Sequence, residues 1–487
     1  MKRRDLAHAA LAAAGSILLP RTVLADDEAD VVVIGAGISG LNAAWLLTEA
    51  GLKVVVLEGA DRIGGRVWSA YDSPTQPELG ASQVGPSYAR VLDAVGRLKI
   101  GLIGENREIM PFTFHLSGQL IRATDWPDHP ANRTVGAERS ISPASLGGSL
   151  IAKLNPMKEL DDWLRPDFAQ YDIAVGELLS RNGVSTEAQR LVGLTQDLWN
   201  TSALGLMQES FRGVFESKFA GARSEQVGGA LVTRNTNASA ADRWPKNFVG
   251  GASVFPKALA NKLRKQVRTG QIVAAIDMDE VGVAVTSIDG AKVRAKFLIS
   301  AIPFSTLRTV SISPNPEAGH QAAINTIGYA ETARAFCTVK EPFWQQDGLP
   351  PSLYTDRGIR MFWVFDSHQH KGPYQATFVL TGNAAERLAL LSPAAASQFL
   401  VSQLEQLRPA AKGQVKVHRF HAWGQQPLQK GCRHSFRPGQ IAAFGNEMIK
   451  PWQRLHFAGE HTRRLDYGME AAMESGERAA LEVLQRI

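Results

Sequence analysis

The stretch Asp30-Val31-Val32-Val33-Ile34-Gly35-Ala36-Gly37-Ile38-Ser39-Gly40 decides how the rest of this chain is read. Its apolar half has the continuous hydrophobicity of a parallel strand buried on both faces, and it runs straight into three glycines. Leu41 to Ala50 then reads as a helix that Gly51 ends, and Lys53-Val-Val-Val-Leu57 as a second buried strand closing on Glu58. Strand, glycines, helix, strand and acid in this order predict a dinucleotide site. Gly35 permits the tight turn, Gly37 lets the backbone approach a pyrophosphate, and Gly40 lets the helix pack closely on the sheet. The pyrophosphate would lie at the helix N-terminus, on free N–H groups and the positive end of the dipole. Glu58, 18 residues after Gly40, is placed to accept from a ribose hydroxyl.

Just downstream, Asp61-Arg62-Ile63-Gly64-Gly65-Arg66-Val67 offers two more glycines for close approach and a guanidinium suited to phosphate. The 487 residues suffice for two or more domains, and 44% hydrophobic with 21% charged residues is ordinary for a globular protein. Lys2, Arg3 and Arg4, the apolar run Leu6 to Leu19 and Val23-Leu24-Ala25 read as a signal peptide over residues 1–25. The Arg3-Arg4 pair points to twin-arginine export, hence a periplasmic or secreted protein. Without that segment the formal charge falls from +6 to +3, too mild to argue for nucleic acid. No later run of about 20 apolar residues predicts a membrane span. Cys337 and Cys432 are too few for a disulfide framework, and no metal-ligand spacing is present.

These motifs resemble the flavin amine oxidase family, monoamine oxidase-like and related to L-amino acid oxidases, and the resemblance runs over nearly all of the chain after residue 25. Gly35 to Gly40, Glu58 and Gly64-Gly65-Arg66 are similar to its FAD-binding start. Glu78-Leu79-Gly80-Ala81 with Val84-Gly85-Pro86 resembles the passage into the substrate domain, and Phe248-Val249-Gly250-Gly251 the return. Phe297 to Pro303 is similar to a later strand and turn, and Val273 stands where the family makes a backbone contact near adenine. Lys340-Glu341-Pro342-Phe343-Trp344 resembles the segment whose lysine holds a water against flavin N5. Phe457-Ala458-Gly459-Glu460-His461-Thr462, Gly468-Met469-Glu470 and Ser475-Gly476 resemble the C-terminal FAD-binding strand, turn and helix.

Departures from the pattern are informative. The family's two cage aromatics map to Arg433 and to Gly468, which follows Tyr467; Trp423 could supply an aromatic wall instead. Arg433, if turned inward, would favour a substrate carboxylate. Cys432 aligns with the cysteine that carries covalent FAD in monoamine oxidases. The carboxylate-binding arginine of L-amino acid oxidases is missing from Ala81-Ser82-Gln83, which tilts the reading toward amines unless Arg433 substitutes.

The resemblance implies an α/β fold: a discontinuous Rossmann-like FAD-binding domain over 26–90, 244–320 and 424–487, and an α+β substrate domain over 91–243 and 321–423. Ala335 to Val339 and Gln375 to Leu380 read as strands, with Lys340, Thr338 and Phe336 on one face. Thr186 and Gln189 suggest a capping box. Ala222 to Asn247, rich in glycine and polar residues, reads as a loop near the entrance. The implied reaction is FAD-dependent: hydride passes from the carbon bearing the amine to N5, and the imine hydrolyses. The substrate would be a small amine or amino acid, and the acceptor oxygen or a periplasmic cytochrome. An L-amino acid oxidase or another FAD enzyme of the fold, such as a desaturase, is the alternative; a homodimer is compatible with either.

Overall fold

The computed structural model describes residues 27–104, 108–196, 199–217, 223–227, 230–234, 244–366 and 373–487. The expected signal segment lies outside them.

The opening strand, Asp27–Ile34, sits at the centre of an eight-stranded sheet because Val31, Val32 and Val33 are wholly buried on both faces. It pairs in parallel with Val54–Leu57 on one edge and with Lys292–Ser300 on the other. The far edge of Lys292–Ser300 is shared: its first half takes the antiparallel strand Val283–Ser287, its second half the parallel strand Leu455–Phe457. Thus a segment from the end of the chain completes a sheet begun at its start. Val267–Arg268 extends one side, Val273–Met278 and Ser311–Ser313 the other.

Helices Ile38–Glu49 and Gly468–Leu484 cross against each other over this sheet. A Cβ on Gly476 would lie 2.3 Å from the Ser39 carbonyl oxygen, so only glycine allows the backbones this close. Asn42 reinforces the crossing by donating from Nδ2 to the Met473 carbonyl at 3.0 Å. A Cβ on Gly40 would lie 2.0 Å from the Gly35 carbonyl, which explains the third glycine of the fingerprint.

A second, seven-stranded sheet runs in the order Val415–Ala422, Thr332–Val339, Tyr374–Thr381, Met361–Val364, Ser352–Thr355, Phe112–Leu116, Gln119–Arg122. Its neighbours are antiparallel except Ser352–Thr355 with Phe112–Leu116. Thr332–Val339 alternates between buried Ala333, Ala335, Cys337 and Val339 and a half-buried face carrying Thr332, Arg334, Phe336 and Thr338. The whole is α/β with a parallel-strand sheet.

Two local expectations change. The helix Thr186–Gln196 is capped by Ser185, whose Oγ accepts from Ala188 N at 3.2 Å, while Gln189 Nε2 donates to the Val184 carbonyl at 2.8 Å. The cap thus falls one residue before Thr186, where serine can turn its hydroxyl onto the first turn. Within the stretch read as a loop, Arg223–Val227 and Ala230–Arg234 form an antiparallel ladder joined across two residues. Backbone pairing needs no apolar alternation, so composition concealed it. Of the remainder of that stretch, 222, 228–229 and 235–243 lie outside the described residues.

Candidate functional site

Two cavities meet where the sheets adjoin. The first, about 430 Å³, is lined by Gly35, Gly37, Glu58, Gly64, Gly65, Arg66, Val273, Trp423, Cys432, Arg433, Gly459, Glu460, Tyr467, Gly468 and Met469, among others. The structure therefore brings together residues far apart in sequence that had been assigned to cofactor and substrate. Gly40 is the exception, lying behind the wall and packing on the sheet.

The walls explain what this cavity can hold. A Cβ on Gly37 would meet nothing within 4 Å, so the backbone here faces open space. Helices Ile38–Glu49 and Gly468–Leu484 both begin at this cavity without a side-chain cap, leaving first-turn N–H groups free for a ligand. Gly64 donates to the Ala36 carbonyl at 2.8 Å and bridges Gly37 in parallel, which welds the second glycine turn to the first. Glu58 accepts from Ala36 N at 2.7 Å and Ala60 N at 2.9 Å. Burial pushes its carboxyl up, against the pull of those N–H groups and Arg62. An uncrowded glycine backbone, two uncapped helix N-termini and a fixed carboxylate fit FAD, whose pyrophosphate the first helix and whose ribose Glu58 would hold.

Charges at the other end are tightly matched. Arg66 Nη1 donates to the Cys432 carbonyl at 2.8 Å and pairs with Glu460 at 3.4 Å. Burial alone would raise Glu460, but His434, 2.8 Å away, with Arg66 and Arg463 holds it well below the usual carboxylate range. Burial also keeps His434 neutral at ordinary pH, so its Nδ1 serves as a donor to an ionised Glu460. The Arg433 side chain is 48% exposed and lines the cavity, and Glu209 takes its charge at 2.6 Å. Its charge is thus already paired with Glu209, which raises its pKa further, so turning toward the cavity does not leave it free for a substrate carboxylate.

Trp423 donates from Nε1 to the Leu79 carbonyl at 3.0 Å and packs edge-on to His421, ring centroids 4.7 Å apart. Tyr467 donates to Glu216 Oε2 at 3.0 Å. Tyr88, which sequence reasoning missed, sets its ring 6.2 Å from that of Tyr467 at 85°. A Cβ on Gly468 would come within 3.4 Å of the Tyr88 hydroxyl. Where the family pattern has a cage aromatic, this chain has a glycine with Tyr88 closing on the space. No motif marked Tyr88, because it arrives from a distant helix start.

The second cavity, about 1000 Å³, is walled by Tyr88, Trp244, Phe336, Trp363 and Phe365. It shares Gly80, Ala81, Arg334, Tyr467, Gly468 and Met469 with the first, so the two open into one another.

Lys340 requires correction. It is exposed at the end of Thr332–Val339, its N–H held by the Gln414 carbonyl at 2.9 Å, and it lines neither cavity. The cation of that strand that does reach both cavities is Arg334, three alternations upstream. Alternation identified the face correctly but not where along it the cavity ends. At 3.3 Å per residue, six residues carry Lys340 about 20 Å away.

A family profile described as flavin containing amine oxidoreductase matches residues 38–484. The flavin-containing amine oxidase B of Homo sapiens is 26% identical over 482 residues, spanning 94% of this chain and 86% of that protein. Wild-type putrescine oxidase bound to putrescine superposes with TM-score 0.73 at 21% identity, covering 94% of this chain and 99% of that one. Cyclohexylamine oxidase from Brevibacterium oxydans IH-35A gives 0.72 at 22% identity, covering 94% and 99%. The profile extends from the first turn of the fingerprint helix to the last turn of the C-terminal one, the two helices that open on the first cavity: the chain belongs to the flavin-containing amine oxidoreductase family and is an FAD-dependent oxidoreductase.

Proposed function

We propose that the protein oxidises the C–N bond of a small amine in the second cavity, with oxygen as electron acceptor. The observation that carries this is the junction: six residues line both cavities, so a substrate in the aromatic-walled one is open to whatever the other holds. FAD, when bound, supplies the hydride acceptor. The chain's own part is to bind, orient and dry the substrate. Tyr88, Phe336, Trp363 and Phe365 make water costly and favour the uncharged amine by desolvation. The carbon loses hydride and the nitrogen a proton, leaving an imine that water splits into a carbonyl compound and ammonia or an amine. Two electrons and two protons convert oxygen to hydrogen peroxide.

We further assign 26–90, 244–320 and 424–487 to FAD and 91–243 with 321–423 to substrate, and infer export from Arg3-Arg4. The deciding experiment is anaerobic bleaching of the flavin absorbance by a panel including putrescine, cyclohexylamine, aromatic amines and amino acids. Reduced enzyme is then mixed with oxygen or with a cytochrome. Bleaching by at least one member and fast oxygen reaction support the proposal; no bleaching by any, or sluggish oxygen with rapid cytochrome reduction, defeats the reaction or the acceptor respectively.

A further inference from the structure

We propose that Arg334 is the recognition group for a carboxylate on the substrate, so that the amine oxidised belongs to the amino acid class. This rests on the second cavity being the amine site. Arg334 projects from Thr332–Val339 into the junction, where it lines both cavities. Among the described residues its side chain has no hydrogen-bond or ion-pair partner, unlike Arg66, Arg212, Arg408, Arg433 and Arg463. Its strand neighbours are Val379 on one side and His421 on the other, and burial holds His421 neutral. The carboxylates that could neutralise it are committed elsewhere. Glu58 is held by two backbone N–H groups, Glu209 by Arg433, Glu460 by His434 and Arg66, and Glu78 by Ser69 and Ala252 N. Glu331, on the same strand segment, accepts from Gly424 N at 2.9 Å.

A half-buried guanidinium without an anion is costly, and no described residue supplies it with one. The anion must arrive with a ligand. Arginine's planar fork takes a carboxylate through two parallel hydrogen bonds, which would also turn the neighbouring carbon toward the junction. The absence of an arginine from Ala81-Ser82-Gln83 therefore does not argue against an acidic substrate, because Arg334 reaches the same cavity from the opposite sheet.

The test is made on oxidised holoenzyme, so that it does not depend on turnover. 3-Phenylpropanoate and its neutral amide are titrated against wild type, Arg334→Met and Arg334→Lys, reading the perturbation of the flavin spectrum. The wild type should prefer the acid by about 30-fold or more. Arg334→Met should erase that preference while leaving the amide's affinity within about twofold, and Arg334→Lys should restore part of it. Equal binding of acid and amide by wild type overturns the proposal. So does an unchanged preference in Arg334→Met, including the case where only the flavin midpoint potential moves, which would assign the guanidinium to the cofactor. If no amine bleaches the flavin, the amine-oxidation reading fails, yet the acid–amide comparison still decides Arg334.

Discussion

Gly476 lies against Ser39 so closely that a single added carbon would sit 2.3 Å from the Ser39 carbonyl oxygen. Through that contact the last helix fixes where the first one points, and both present uncapped N-termini to one cavity. Gly476→Ala should force the helices apart, costing about 1–3 kcal/mol and weakening FAD retention. Thermal melts and the ratio of flavin to protein absorbance after gel filtration measure both; an unchanged ratio would show that the crossing does not set the cofactor site.

Gly37 presents the opposite case. A Cβ there meets nothing within 4 Å, so Gly37→Val should fold normally and lose only the flavin, because the side chain occupies the pyrophosphate's space. Circular dichroism like wild type with colourless protein is the expected result. A folded yellow variant would remove the fingerprint from cofactor binding.

Lys340 is exposed and lines neither cavity, so Lys340→Met should leave anaerobic flavin reduction and reoxidation by oxygen within about twofold of wild type. Stopped-flow measurement of both half-reactions decides. A tenfold loss in either would return the lysine to the chemistry.

His421 couples stability to pH. Burial, with Arg419 and Arg62 nearby, pushes its pKa down from 6.5 to about 4. The unfolded chain therefore takes up the proton first as pH falls, so this stability is complete above about 6.5 and drains away toward 4. The full span is worth up to about 3 kcal/mol. Holoprotein melting temperature should drop across that window, and His421→Gln should flatten the slope whatever it does to stability at pH 7. Parallel slopes in mutant and wild type would mean that the imidazole titrates normally.

Much of this protein is legible in its sequence because the signals are local. Val31 to Ile34, the three glycines and Glu58 each answer to a backbone requirement within one β–α–β unit, and the structure shows that unit at the centre of its sheet. Gly468-Met469-Glu470 likewise marks a helix start by its own residues. The period of two in Thr332–Val339 told which side chains share a face. What remained hidden depends on partners brought from elsewhere. Arg433 and Glu209 are 224 residues apart, and only their 2.6 Å contact shows that the arginine is neutralised. Tyr88 closes on Gly468 across a still longer stretch of chain. Arg334 and Lys340 have the same charge on the same strand face, and periodicity cannot rank them. Sequence determined which residues could carry the chemistry; tertiary structure decided which are buried, which are paired and which face the cavity, because desolvation and charge compensation are set by neighbours in space.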